Sequence, residues 1–225
     1  MKKSQNLYYF SQKATAPKIY AISDYNLTPY DKIEAMLKEA IYGGIKIFQL
    51  RDKYSRDEDI LEVCVNLAEI CLQNKVEFII NDRANLALYL QEREIECGLH
   101  LGIDDEENMP FEELRKVFSG TIGVSCYGDM NRALDYEAKG ADYVAFGSIF
   151  KSKTKPYSEV VGCDILVEAK RKLRTKICAI GGINIDNITQ IKGADMVAIV
   201  SEIWQGNVYK NVENLVKIME LSQEK

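Results

Sequence analysis

The sequence lacks the patterns that mark zinc centres, membrane spans and secreted proteins. Its six cysteines include no C-x-x-C pair, so a zinc site is not expected. No stretch approaches the ~18 consecutive apolar residues of a membrane helix. The N-terminal residues contain no apolar segment long enough for a secretion signal. Reduced cysteines without such a signal predict a cytoplasmic protein.

The sequence also gives no pattern that indicates a histidine-based triad. His100 is the only histidine, and no Ser-His-Asp or Cys-His set follows from the order of the residues. His100 lies near the end of an apolar run. A general base and a residue that supports other groups are both open interpretations, of which the second is favoured.

An excess of positive charge is absent as well. The net charge is −5, from 29 Lys and Arg against 34 Asp and Glu. Binding to nucleic acid or to an anionic membrane needs a broad cationic surface, so neither partner is expected. Local lysines can still bind a small phosphorylated molecule. Small-molecule substrates are therefore the expected partners, and a homo-oligomer remains possible.

Short apolar runs alternate with longer amphipathic segments from residue 18 onward, which predicts repeated βα units around a parallel sheet. We predict strands at 19–23, 45–50, 77–81, 98–101, 121–125, 143–146, 177–180 and 196–200. We predict helices at 30–42, 57–72, 130–138, 161–173, 185–191 and 208–221.

Eight such units most simply close into a single (β/α)8 TIM barrel, an α/β fold. The catalytic domain would span residues 18–225, after a short N-terminal extension over residues 1–17. An open doubly wound sheet is the alternative, but no G-x-G-x-x-G turn follows the first strand.

Polar residues follow the predicted strands at the edge where functional groups of such barrels gather. Gln49, Arg51 and Lys53 alternate along the second strand, so all three are expected in the barrel mouth. Two fixed cations there suit a diphosphate. The alternative is that these cations form an ion pair with Asp52 or Glu58.

Two aspartates follow the third and fourth strands. Asp82 and Asp105 would offer carboxylate oxygens, and Mg²⁺ commonly takes one or two carboxylates together with substrate phosphates. The alternative is that each aspartate caps a helix N-terminus. Beside the cations of the second strand, a metal-bound diphosphate is the favoured interpretation.

Two further segments are suited to phosphate. A glycine-led loop over residues 147–156 carries three lysines and three hydroxyl side chains, though a solvated surface turn has the same composition. Gly181-Gly182 and Val200-Ser201 follow the last two strands, where many barrels bind a phosphate through backbone N–H groups. The residues thus predict two anion sites and two phosphorylated substrates.

The ordered set of motifs resembles the thiamine phosphate synthase family from about residue 19 to residue 203. Each motif is weak alone, and the order makes the set specific. The motifs are Gln49-Leu50-Arg51-Asp52-Lys53, Ile80-Asn81-Asp82, His100-Leu101-Gly102, Gly123-Val124-Ser125, Ala141-Asp142-Tyr143-Val144, Phe146-Gly147-Ser148-Ile149-Phe150, Lys153-Thr154-Lys155-Pro156, Ala179-Ile180-Gly181-Gly182-Ile183 and Val200-Ser201.

The resemblance implies a transferase that joins 4-amino-2-methyl-5-hydroxymethylpyrimidine diphosphate to 4-methyl-5-(2-hydroxyethyl)thiazole phosphate by a dissociative reaction. It implies pyrimidine diphosphate contacts from Gln49, Leu50, Arg51, Asp52, Lys53, Asn81, Ser125 and Lys155. Among these it assigns catalysis to Arg51, Lys53, Ser125 and Lys155. It implies thiazole phosphate contacts from Ser152, Lys153, Thr154, Gly182, Val200 and Ser201. It implies Mg²⁺ as the cofactor, held by Asp82 and Asp105.

The sequence departs from the usual family pattern at a few positions. Ile103 stands where a glutamine is usual, and Ser152 where a threonine is commoner. Cys126-Tyr127 and Glu202 also differ from the common residues. None of these changes removes a predicted cation or metal ligand. The alternatives are a related thiazole tautomerase and a barrel that binds a phosphorylated metabolite without turnover. Asn81-Asp82 and the lysines of 153–155 favour the synthase.

Overall fold

Eight parallel strands close into a barrel in chain order, in a computed structural model that describes residues 16–102, 109–151 and 159–223. The strands are β1 Lys18–Ile22, β2 Ile47–Leu50, β3 Glu77–Asn81, β4 Gly98–Leu101, β5 Ile122–Tyr127, β6 Tyr143–Phe146, β7 Lys176–Ile180 and β8 Met196–Ile199. Closure is direct, because Tyr20 of β1 lies opposite Ala198 of β8. The predicted (β/α)8 barrel is confirmed.

Helices follow the strands on the outside of the barrel. They are α1 Ile33–Gly43, α2 Asp57–Gln73, α3 Ala84–Gln91, α4 Phe111–Val117, α5 Met130–Lys139, α6 Asp164–Lys172, α7 Ser201–Trp204 and α8 Val208–Gln223. α1 and α5 end at Gly44 and Gly140, both in the left-handed conformation that glycine adopts without strain. None of the helices in these described ranges is long and apolar enough to cross a membrane.

The predicted α-helix over residues 185–191 is wrong. Only a single 3-10 turn, Ile188–Gln190, forms there. The side chain of Asn187 accepts a hydrogen bond from the Asn184 backbone, and that of Asn184 accepts one from Asp186. Such bonds compete with the helical pattern. The segment therefore turns instead of forming a helix, although its apolar spacing is helical.

Other element boundaries differ from the prediction by a few residues. α1 begins at Ile33 and α6 at Asp164, each three residues later than expected. α3, α4 and the four-residue α7 were not predicted individually. The predicted N-terminal extension lies almost entirely outside the described residues.

The apolar residues form two layers. Inside the barrel, inward-facing side chains make a small core of Tyr20, Ile22, Ile47, Ile79, Tyr143, Ala145, Cys178, Met196 and Ala198. A larger layer lies between the strands and the helices, to which β1 contributes Ile19 and Ala21. The alternation follows from the two-residue period of a strand. Both faces of each strand are buried, which explains why the strands appear as nearly continuous apolar runs.

Candidate active site

Five polar side chains from five strands form a connected chain of hydrogen bonds across the barrel interior. Gln49 Nε2 donates to the Tyr20 hydroxyl at 2.6 Å, and the hydroxyls of Tyr20 and Tyr143 are 2.9 Å apart. Tyr143 Oη lies 2.9 Å from His100 Nδ1, and His100 Nε2 lies 2.9 Å from Ser125 Oγ. The structure thus brings together Gln49, His100 and Ser125, which the sequence placed on separate strands.

Ring packing holds the centre of this chain in place. The Tyr143 ring stacks on His100 with centroids 5.6 Å apart and meets Tyr20 edge to face at 6.1 Å. Gly123 makes room for it, since a Cβ there would lie 1.9 Å from the Tyr143 ring. Any larger residue at position 123 would displace this tyrosine.

The surroundings keep His100 neutral. Desolvation lowers the pKa of His100 to about 4, against a smaller opposing effect of the Asp82 charge. Both ring nitrogens are already hydrogen-bonded to protein groups. His100 therefore supports other residues of the site rather than serving as a free general base, as the favoured sequence interpretation held.

Burial also raises the pKa of both tyrosine hydroxyls, Tyr20 and Tyr143, well above the usual value. They remain protonated and can donate. Sequence reasoning missed both residues because each lies within an apolar run. Their signal was the two-residue alternation, which points them into the barrel, where a buried tyrosine hydroxyl needs a partner.

Two of the predicted cations, Arg51 and Lys53, lie in the loop that follows β2. Lys53 Nζ is 3.2 Å from Asp82 Oδ2, with 53% of the Lys53 side chain exposed. The backbone N–H of Arg51 donates to Ser23 Oγ at 2.8 Å. The Arg51 guanidinium has no hydrogen bond or ion pair with any residue that the structure describes. The alternative ion pairs of Arg51 with Asp52 and Glu58 are therefore not formed, and its charge is available to a ligand.

A cavity of about 200 Å³ opens beside Arg51, between the loops that follow β1 and β2. Its walls include Tyr25, Tyr30 and Leu50. Tyr25 packs edge to face against Tyr54 across the two loops, with ring centroids 4.9 Å apart. The side chain of Leu50 belongs to the layer between strands and helices.

Asp52 stabilises the loop that carries the two cations. Its carboxylate accepts hydrogen bonds from the Tyr30 hydroxyl, from the Tyr54 backbone at 2.6 Å, and from the Ser55 backbone at 3.0 Å and hydroxyl at 2.6 Å. Burial alone would raise the pKa of Asp52, but hydrogen bonds led by those from Ser55 and Tyr30 lower it to about 2. The contact of Asp52 with substrate, which the resemblance implies, stays a prediction.

Arg83, two residues after the end of β3, stabilises the same loop. Its guanidinium donates to the backbone carbonyls of Asp52 at 2.8 Å and Ser55 at 2.6 Å, and pairs with Asp57. Sequence reasoning missed this role, since nothing in the Ile80-Asn81-Asp82 motif or the residue after it indicates which loop Arg83 contacts.

Asn81 presents an unsatisfied donor. The residue is 6% exposed and lies opposite His100 in the register of β3 and β4. Its side-chain Nδ2 is buried and has no hydrogen-bond partner among the described residues. An unpaired buried amide costs free energy. This orphaned donor at the barrel mouth is the expected counterpart of a ligand oxygen or ring nitrogen.

The loops after β6 and β7 pack backbone to backbone. Ile149 N–H donates to the Ile180 carbonyl at 3.0 Å, and Phe150 N–H to Gly181 at 2.9 Å. Gly182 has a φ of 66°, and a Cβ there would lie 2.6 Å from the carbonyl oxygens of Phe150 and Lys151. Glycine is required at that position. The contact places Gly182 directly beside the residue that precedes Ser152.

The remaining predicted residues divide into two groups. Val200 is partly buried between the two apolar layers, and Ser201 begins α7 directly after it. Asp105, Ser152, Lys153, Thr154 and Lys155 lie outside the described residues, as does Ile103. Among the residues that the structure describes, no three His, Cys, Asp or Glu side chains converge as a metal centre. The Asp82 and Asp105 pair therefore stays a prediction.

Comparisons with known proteins agree with this geometry. The sequence model of the family described as thiamine monophosphate synthase matches residues 19–203. The chain belongs to the thiamine monophosphate synthase family. It is 44% identical over 204 residues to the thiamine-phosphate synthase of Wolinella succinogenes, covering 88% of this chain and 92% of that protein.

Further relatives extend the comparison. A thiamine-phosphate synthase of Thermoplasma acidophilum is 39% identical over 171 residues, covering 75% of this chain and 77% of that protein. The solved structure of thiamine phosphate pyrophosphorylase from Pyrococcus furiosus superposes with a TM-score of 0.79 at 31% identity. It covers 91% of this chain and 96% of that one. Membership of the thiamine monophosphate synthase family, expected from the ordered motifs, is confirmed.

Proposed function

We propose that this member of the thiamine monophosphate synthase family joins 4-amino-2-methyl-5-hydroxymethylpyrimidine diphosphate to 4-methyl-5-(2-hydroxyethyl)thiazole phosphate. The products are thiamine phosphate and pyrophosphate. The observation that carries the proposal is the buried Asn81 Nδ2, which has no hydrogen-bond partner among the described residues, together with an Arg51 guanidinium that pairs with none of them. A donor and a cation that the described part of the protein leaves unpaired fit an anionic ligand.

The pyrimidine diphosphate would occupy the mouth above β2 to β5. Gln49, Asn81 and Ser125 offer neutral polar groups, and Arg51 and Lys53 offer charge. Lys155, carried by the loop after β6, would complete the cationic set. These cations would stabilise the negative charge that develops as pyrophosphate departs, which is the main requirement of a dissociative transfer.

The thiazole phosphate would bind beside the β6 and β7 loops. Gly182, Val200 and Ser201 offer backbone groups and a hydroxyl there, and Ser152, Lys153 and Thr154 would follow directly after the loop contact at Lys151. Two substrates held at neighbouring strand ends gain rate from orientation alone. No protein nucleophile is needed, which agrees with a residue order that indicates no Ser-His-Asp or Cys-His set.

One described carboxylate supports a magnesium ion as part of the proposal. Asp82 is a partly buried carboxylate next to the Lys53 cation, and Mg²⁺ prefers carboxylate oxygens together with substrate phosphates. Asp82 and Asp105 would hold the ion. When bound, Mg²⁺ would supply charge stabilisation to the departing pyrophosphate. Its requirement is part of the proposal.

A product assay tests the proposal. Purified protein is incubated with both substrates and Mg²⁺, and thiamine phosphate and pyrophosphate are measured separately. The expected result is formation of both in equal amounts, abolished by EDTA and restored by excess Mg²⁺. Isomerisation of the thiazole alone, or binding without turnover, would contradict the synthase function. Undiminished activity in EDTA would contradict the metal requirement only.

A further inference from the structure

The hydrogen-bond chain across the barrel has a direction. In the amide orientation of the structure, its first member, Gln49 Nε2, faces Tyr20 and can only donate, so the Tyr20 hydroxyl accepts there. Tyr20 must then donate its own proton to the Tyr143 hydroxyl, which in turn donates to His100 Nδ1. A neutral histidine that accepts at Nδ1 carries its proton on Nε2. That N–H donates to Ser125 Oγ.

The reverse direction fails at Tyr20. If Ser125 donated to His100 Nε2, the proton would sit on Nδ1 and Tyr143 would accept it. Tyr143 would then donate to Tyr20, which already accepts from Gln49. The Tyr20 hydrogen would have no acceptor among the described residues, and an unmade bond in the barrel interior costs free energy.

This direction of hydrogen bonding determines what the Ser125 hydroxyl can do at the mouth of the barrel. Ser125 Oγ accepts from His100, so its own hydroxyl hydrogen remains free to donate outward. Ser125 is partly exposed, and its backbone carbonyl is held by Arg132 Nε at 2.9 Å. The Ser125 hydroxyl can rotate, whereas the hydrogen bond from Arg132 holds the Ser125 backbone in place.

We propose that Tyr143 is a positioning residue: its hydroxyl selects the Nε2–H tautomer of His100 and thereby directs the Ser125 hydroxyl hydrogen toward the barrel mouth. Tyr143 lies too deep in the barrel core to serve the mouth directly, being 2% exposed. It acts through His100 and Ser125. The further step, that this hydrogen meets a diphosphate oxygen, rests on the proposed function.

The tautomer can be measured without any activity. His100 is the only histidine in the chain, so ¹⁵N-histidine labelling of a tag-free protein gives one imidazole in a long-range ¹H–¹⁵N spectrum. Wild type at neutral pH is expected to show the Nε2–H tautomer with Nδ1 shifted by an accepted hydrogen bond. A wild-type Nδ1–H tautomer would overturn the proposal. So would a Tyr143→Phe spectrum identical to that of wild type.

A double-mutant cycle tests the route through Ser125. Tyr143→Phe keeps the ring that packs above Gly123, and is expected to lower kcat about 5- to 50-fold with a smaller change in KM. In a Ser125→Ala background the same change should lower kcat less than about twofold. An undiminished effect in that background would overturn the positioning role.

The matched control is Tyr136→Phe. Tyr136 is also buried and its ring contacts Phe111 and Arg132. Its hydroxyl is not part of the hydrogen-bond chain from Gln49 to Ser125. Its variant is expected to keep wild-type kcat and an unchanged His100 spectrum. Thermal unfolding of each variant confirms folding. If wild type forms no thiamine phosphate, the proposed function fails while the NMR result still decides the tautomer.

Discussion

Replacing Asp52 with asparagine should destabilise the protein in a pH-dependent way. The Asp52 carboxylate is buried and accepts hydrogen bonds from Tyr30, Tyr54 and Ser55. These lower its pKa from 3.8 to about 2. A group whose pKa is lower in the folded state stabilises it above the unfolded pKa. At pH 7 the charged form should contribute about 2 kcal/mol.

The contribution declines as the pH falls through the folded pKa. It should be about 1 kcal/mol at pH 3 and close to zero below pH 2. Urea unfolding of wild type and Asp52→Asn at pH 7 and pH 3 measures the difference in the free energy of unfolding. The difference should shrink by about half at the lower pH.

The matched control is Asp59→Asn, on the exposed face of α2. Asp59 pairs with Arg56 at the surface, and its loss should change stability much less than loss of Asp52. An Asp52→Asn protein as stable as wild type at pH 7, or a difference that does not depend on pH, would refute the assignment of Asp52 as the anchor of the loop.

Three other substitutions test the substrate sites. Lys53→Ala should lower kcat/KM for the pyrimidine diphosphate about 10- to 100-fold, and an equal loss in Lys38→Ala, on an exposed position of α1, would argue against a local role. Gly182→Ala should raise KM for the thiazole phosphate more than KM for the pyrimidine diphosphate, measured in a variant whose unfolding temperature shows that it folds. Asp82→Ala should shift the Mg²⁺ titration of activity to higher concentration, whereas an unchanged titration would count against ligation.

The barrel could be predicted because its physical signals are local. Apolar runs such as β6 mark strands buried on both faces, and the spacing of Ile33, Leu37 and Ala40 marks one buried helix face. The segment after β7 shows the limit of this reasoning. Its apolar spacing indicated a helix, but side-chain bonds of Asn184 and Asn187 to the backbone favour a turn.

The rim of the site was predictable for a related reason. In a parallel barrel the carboxyl ends of all strands meet, so polar residues after apolar runs collect at one mouth. This places Gln49, Asn81 and Ser125 at neighbouring strand ends, while their contacts with substrate stay predictions. The depth of the site was not predictable: Tyr20 and Tyr143 belong to apolar strands, and only three-dimensional closure shows that their hydroxyls meet.

Hydrogen bonds that stabilise a loop were equally difficult to predict from the sequence. Asp52 stands between two predicted cations, and its substrate contact stays a prediction; the sequence did not indicate that its carboxylate accepts hydrogen bonds from Tyr30, Tyr54 and Ser55. The partners come from a neighbouring loop and from the same loop. Sequence spacing alone does not distinguish a carboxylate that faces a ligand from one that fastens a turn.

The most direct test of the account is the stoichiometry of the reaction with both substrates and Mg²⁺. Purified protein should convert pyrimidine diphosphate and thiazole phosphate into thiamine phosphate and pyrophosphate in a one-to-one ratio, and omission of either substrate should abolish thiamine phosphate. A correctly folded protein that binds both substrates but forms no thiamine phosphate would contradict the central claim.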